Sequence, residues 1–176
     1  MKVNIGILTL SASFIFSIPV NASAVEVCYV PVRGDGLMSC VAEFDAAGNM
    51  VAPCSHALGR FSLVLEKISQ TPGSRTLRLS GPATANIYTD GSMDHVMLDY
   101  EARGLLYSFE DRIVESTTVS DCLIQAREVL NITLGTGDYA GARGIVNILL
   151  DMNPCTGVNV FDVARNEGEI CFSTNN

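Results

Sequence analysis

The sequence predicts an all-β domain, a closed barrel or a sandwich, and three observations carry that expectation. Short apolar runs alternate with turn residues along most of the chain, and period-two alternation outweighs any helical period. About eight to ten such runs fit into one domain-sized length, the pattern of an antiparallel architecture. The third observation is GTGDYAGARG, Gly135 to Gly144, where four glycines separate two β-branched runs. That density marks a tight, irregular strand connection.

Residues 1–24 read as an export leader that is removed. Lys2 gives the positive start, residues 3–20 are uncharged and mostly apolar, and Ala22-Ser23-Ala24 offers small residues for cleavage. Ser11, Ser13, Ser17 and Pro19 dilute the stretch against a retained anchor, and no second long apolar run follows. Residues 25–176 are then one β-barrel domain, secreted or periplasmic, with no stable membrane insertion.

The strands follow in order. Residues 27–32 precede an expected turn at Arg33-Gly34-Asp35-Gly36, and 37–44 precede one at 45–49. Phe61, Leu63 and Leu65 alternate with Ser62, Val64 and Glu66; a turn at Thr71-Pro72-Gly73-Ser74 leads into 75–80, which Gly81-Pro82 ends. Runs at 84–89, 94–100, 105–109 and 113–119 come next. The strongest are 123–134, 145–152, 158–163 and 169–172, separated by Gly135, Asn153-Pro154, Gly157 and Gly168. On 123–134 one face carries Ile124, Ala126, Leu130, Ile132 and Leu134, interrupted by Glu128, while Gln125, Arg127 and Asn131 share the other. On 145–152 both faces are mostly apolar, which suits a lined cavity, a second layer or a subunit contact.

The glycine segment also has the spacing G-x-G-x-x-x-G, close to a dinucleotide-binding turn. Only strand-like residues follow it, where that fold needs repeated βαβ units. The run from Ile132 through Gly135-Thr136-Gly137-Asp138-Tyr139-Ala140-Gly141-Ala142-Arg143-Gly144, followed by an apolar strand, resembles instead the signature of the allene oxide cyclase and dirigent-protein superfamily. The resemblance covers residues 129–152. It implies an antiparallel, eight-stranded, calycin-like barrel, commonly trimeric, with a cavity for a hydrophobic small molecule. It also implies structural roles: Gly135, Gly137, Gly141 and Gly144 shape the connection, Tyr139 packs its ring on the barrel and Arg143 braces the turn. No catalytic residue of the plant enzymes finds a matching position, and the six cysteines depart from the family pattern.

Those cysteines, Cys28, Cys40, Cys54, Cys122, Cys155 and Cys171, all lie beyond the leader, and an even number in an exported chain favours disulfides. Short separations favour Cys40 with Cys54 and Cys155 with Cys171, leaving Cys28 for Cys122. There is no C-x-x-C pair, and neither His56 nor His95 completes a zinc spacing, so no structural metal site is expected. The formal net charge of −8 becomes more negative once Lys2 leaves, and the arginines are dispersed. Nucleic acid is thereby excluded as a partner.

The densest titratable cluster is Asp94, His95, Asp99, Tyr100, Glu101 and Arg103. A histidine beside carboxylates suits general acid–base chemistry. Alternation, however, puts Asp94 and His95 on opposite faces, and exposed strand charge is the preferred reading. His95, Asp99, Glu101, Arg127 and Glu128 remain candidate pocket groups because each places charge in an otherwise strand-like run. The expected function is an exported barrel that binds a small hydrophobic molecule, with any chemistry being isomerase or cyclase chemistry that needs no cofactor. The other reading is a non-catalytic structural or protein-interaction barrel with a filled core, using the outer face of 145–152.

Overall fold

In the computed structural model, residues 25–41, 46–47, 54–68, 76–101 and 103–174 are described. The expected leader and the turn at Thr71–Ser74 lie outside them. Eight antiparallel strands close into one barrel in simple sequence order. They are β1 Val25–Cys40, β2 His56–Lys67, β3 Thr76–Ile87, β4 Ser92–Leu98, β5 Leu105–Ser120, β6 Leu123–Gly135, β7 Arg143–Asn153 and β8 Val158–Thr174. Closure comes from β1 pairing with β8, for example Cys28 opposite Cys171 and Ser39 opposite Val158. A closed sheet has no edge left to protect.

Several expected turns are interior points of long strands. β1 runs straight through Arg33–Gly36, with its register shifting between Pro31 and Arg33 against β2. Its glycines serve close approach, not reversal: a Cβ on Gly36 would lie 2.2 Å from the Phe161 ring and 2.5 Å from the Arg60 carbonyl oxygen. β3 likewise continues through Gly81-Pro82. Its ladder to β4 starts at Ala83 opposite Met97, so Pro82, which has no N–H to donate, takes no rung there. On β8 the pairing with β7 shifts between Val146 and Ile148, and the extra residues of β8 bulge outward around Asn166, at φ 60. His56 opens β2.

Inward side chains build the core, among them Leu65, Leu79, Leu106, Ile132, Val146 and Ile170, each nearly or fully sealed from solvent. Burying each such side chain stabilises the fold by roughly 1.5–3 kcal/mol relative to leaving it exposed. β6 follows the expected parity from Ala126 to Ile132; opposite the step from Tyr107 to Ser108 on β5 it then carries one extra residue, Thr133, and Leu134 lies outward. On β7, Val146, Ile148 and Leu150 face in, whereas Ile145 and Leu149 are 46% and 48% exposed.

All six cysteines are paired. Cys40–Cys54 is the expected bridge, but the other two are Cys28–Cys171 and Cys122–Cys155, replacing Cys28–Cys122 and Cys155–Cys171. Strand neighbourhood is the reason: closure sets β1 beside β8, and the β6–β7 pairing, with Ile124 opposite Met152, brings the β5–β6 turn carrying Cys122 beside the β7–β8 turn carrying Cys155. Sequence separation carries no information about either juxtaposition. Three bridges are the cross-links an oxidising compartment preserves.

Candidate functional site

The glycine segment builds a structural corner. After β6 the chain makes a short 3₁₀ turn, Gly137–Tyr139, before β7 begins. Gly137 has φ 60, and a Cβ there would fall 2.1 Å from the Arg103 carbonyl oxygen, so both the conformation and the space require glycine. Tyr139 is buried, its ring tilted against Phe172 at 5.7 Å and its hydroxyl donating to Asp99 Oδ2 at 2.8 Å. Arg103 Nε donates to the same oxygen at 2.6 Å. Burial alone would raise the Asp99 carboxyl, but the bonds from Arg103 and Tyr139 outweigh it and hold the group below its ordinary range. Arg143 reaches across to Glu26 on β1, Nη2 to Oε2 2.6 Å.

A second polar group lies inside the barrel. His95 on β4, Asp111 on β5 and Glu128 on β6 converge there, with Asp111 fully buried and Glu128 2% exposed. His95 Nδ1 lies 2.7 Å from Asp111 Oδ2, which also accepts from the Ser108 hydroxyl, while Asp111 Oδ1 accepts from the Asn131 backbone N–H at 2.6 Å. Asp111 thereby fixes the imidazole, with Nδ1 bearing the proton and Nε2 turned toward Glu128 Oε1 at 3.9 Å. That Oε1 atom is buried and has no hydrogen-bond partner among the described residues.

A β-bulge makes this arrangement. Met93 pairs with Asp111 and His95 with Ser108, so β5 carries one extra residue across that span, and Glu110 takes up φ 57. The bulge reverses the alternation and lets Ser108 and Asp111 both point inward. Glu128 needs no such device, because it sits on the inward parity of β6 between Ala126 and Leu130.

Burial is the largest influence on Glu128 and, with the charge of Asp111, pushes its carboxyl up to about 7, against the attraction of His95. Burial pulls His95 down, but the hydrogen bond to Asp111 and the charges of Glu128, Asp111 and Asp94 together hold it above its ordinary value. Both folded-state values are raised, so both contributions to stability have the same sign. For Glu128 the stability is complete below its ordinary 4.5 and is lost as the pH rises through about 7. Glu128→Gln is accordingly expected to be more stable than the parent at pH 8, by up to about 3 kcal/mol, and to match it near pH 4. Urea unfolding of metal-free protein at the two pH values measures this; a difference independent of pH would remove the buried ionised carboxylate as its cause.

The polar group adjoins a cavity of about 50 Å³ in the barrel interior, whose wall includes Met38, Phe61, Met97, Leu130, Ile148 and Phe161 beside His95 and Glu128. Of the five candidate pocket residues, the structure brings His95 and Glu128 together at this wall. Asp99 is buried in the Tyr139–Arg103 corner, Glu101 is exposed beside Arg103, and Arg127 is on the outer face, paired with Glu167. Asp94 also points outward, accepting from the Tyr88 hydroxyl at 2.7 Å and the Glu110 N–H at 3.0 Å. Sequence reasoning missed Asp111 and Ser108. The signal was present in Glu110-Asp111-Arg112, a charged triplet between two strand-like runs, which marks a bulge as well as a turn.

No family model matches the chain, and no curated protein matches it. Among solved structures, that of a pterocarpan synthase dirigent protein aligns over 94% of this chain and 100% of its own, with 11% sequence identity and a TM-score of 0.42. The architecture of the chain rests on its own closed strand order, β1 through β8.

Proposed function

We propose that the barrel takes up a small, largely apolar molecule whose one polar group meets His95 and Glu128. The observation that carries this reading is Glu128 Oε1, an acceptor sealed inside the barrel with no partner among the described residues, at the wall of a largely apolar cavity. Buried polar atoms are nearly always hydrogen-bonded, and leaving one unmet costs roughly 1–3 kcal/mol. A barrel serving only as a scaffold gains nothing from that cost, whereas a ligand group supplies the missing bond. Any chemistry would be of the isomerase or cyclase kind, in which the wall folds a flexible substrate and excludes water.

The cavity of about 50 Å³ holds one or two waters. Pockets for drug-sized ligands are roughly 300–1,000 Å³, so uptake requires the wall to move. Met38 and Met97 suit that role, since unbranched thioether side chains repack at low cost. Native mass spectrometry against a panel of lipids and polyketide-like compounds is expected to show a one-to-one complex. Ala83→Val, which adds methyl groups at the cavity wall, is expected to abolish it while the protein stays folded. Failure of every compound to bind would sink the reading.

The small volume supports a second reading, a filled structural barrel acting through its surface. Ile145 and Leu149 on β7 and Val160 on β8 supply an exposed apolar stripe for self-association. Light scattering of the parent and Leu149→Lys decides this: a parent that is already monomeric, and is unaffected by the substitution, contradicts it.

A further inference from the structure

We infer that His95 and Glu128 form a binding site for a divalent transition-metal cation of the zinc class, with Asp111 as the carboxylate that orients the histidine. The donors come from β4 and β6, far apart along the chain, so no local spacing motif announces them. His95 Nε2 and Glu128 Oε1 are 3.9 Å apart. A cation at roughly 2.0–2.2 Å from each, the usual zinc distances to imidazole nitrogen and carboxylate oxygen, spans that gap. His95 Nδ1 is held by Asp111, whose two oxygens are already engaged by His95 and Ser108 on one side and by the Asn131 N–H on the other. This is the carboxylate–histidine–metal relay that fixes the tautomer and raises the basicity of the ligating nitrogen.

The unpartnered Glu128 oxygen points to an occupant independently of the cluster's composition. With neutral His95, the two carboxylates carry a charge that one divalent cation balances, which removes the cost of an isolated buried anion. Imidazole with carboxylate suits zinc, iron or cobalt, whereas calcium and magnesium prefer all-oxygen sites. Two protein donors leave open positions facing the cavity, which has room for a water ligand or for the polar group of a bound molecule. The site uses the same wall as the proposed ligand but does not depend on that ligand, since the metal alone tests it.

Tag-free protein stripped with chelator is titrated with Zn²⁺ by calorimetry, and the imidazole nitrogens of His95 and His56 are followed by long-range ¹H–¹⁵N NMR. One equivalent is expected to bind, shifting the Nε2 resonance of His95 and leaving His56 unchanged. Binding is expected to be lost in His95→Gln and Glu128→Gln and weakened about 10–100-fold in Asp111→Asn. Thermal melts report whether each variant folds; should any not fold, the His95 resonance in the parent decides alone. Absence of stoichiometric binding, an unmoved His95 resonance, or binding retained in folded His95→Gln and Glu128→Gln would overturn the proposal. Binding of apolar compounds to chelated protein is a separate result, so failure of one proposal leaves the other standing.

Discussion

Replacing Cys28 and Cys171 together by serine is expected to cost more stability than removing either other disulfide, about 4–5 kcal/mol by the chain-entropy account. This bridge links residues 143 apart, against 33 for Cys122–Cys155 and 14 for Cys40–Cys54. The same account gives about 4 kcal/mol for Cys122–Cys155 and about 3 kcal/mol for Cys40–Cys54. The long bridge also joins β1 to β8, the pair that closes the barrel and that no hairpin turn holds together. Its removal returns to the unfolded chain the freedom of nearly the whole domain. Urea midpoints of the three double-serine variants, refolded under oxidising conditions, give the ranking. A Cys28–Cys171 variant no less stable than the Cys40–Cys54 variant would show that closure does not rest on this link.

Asp99→Ala is expected to cost about 3–5 kcal/mol, the range for breaking a buried charge pair by removing one partner. It strands the buried Tyr139 hydroxyl and takes from Arg103, which keeps Glu101 and the Arg78 carbonyl, its buried carboxylate partner; both side chains donate to the same carboxylate oxygen. Glu101→Ala, two residues away, removes an exposed carboxylate that pairs with Arg103 at 3.1 Å, and is expected to stay within about 0.5 kcal/mol of the parent. The contrast has a pH signature. Because Asp99 is held below its ordinary value, its contribution is present above about pH 4 and is lost as the pH falls through its folded value, so parent and Asp99→Ala converge in acid. Equal losses from both substitutions would show that the corner acts through general surface charge.

The fold class was legible because alternation and turn residues report strands whatever their partners. Strand count was harder. Arg33–Gly36, Gly81-Pro82 and Gly168 read as breaks between strands, since glycine, proline and charge mark turns and bulges alike. Only the register of neighbouring strands, set by closure, separates the two. The disulfides obey the same limit: Cys40–Cys54 follows from one local connection, while the other two pairs follow from the order of strands around the barrel.

The candidate site was half legible for a related reason. Glu128 stood out as a charge on an apolar face, which strict alternation on an unbroken strand exposes. His95 was assigned to exposed strand charge because alternation parts it from Asp94 and no partner is locatable along the chain. Its true partners belong to β5 and β6, and the Glu110 bulge that turns Asp111 inward breaks the very periodicity on which a face assignment depends.

Methyl NMR of methionine-labelled, metal-free protein tests the central claim, that the barrel interior admits a ligand beside His95 and Glu128. Titrated with cyclohexanol, an apolar body bearing one hydroxyl, the Met38 and Met97 methyls in the cavity wall are expected to shift saturably in the parent and to stay fixed in Ala83→Val. Unmoved Met38 and Met97 methyls across the titration would contradict the account and leave a filled barrel.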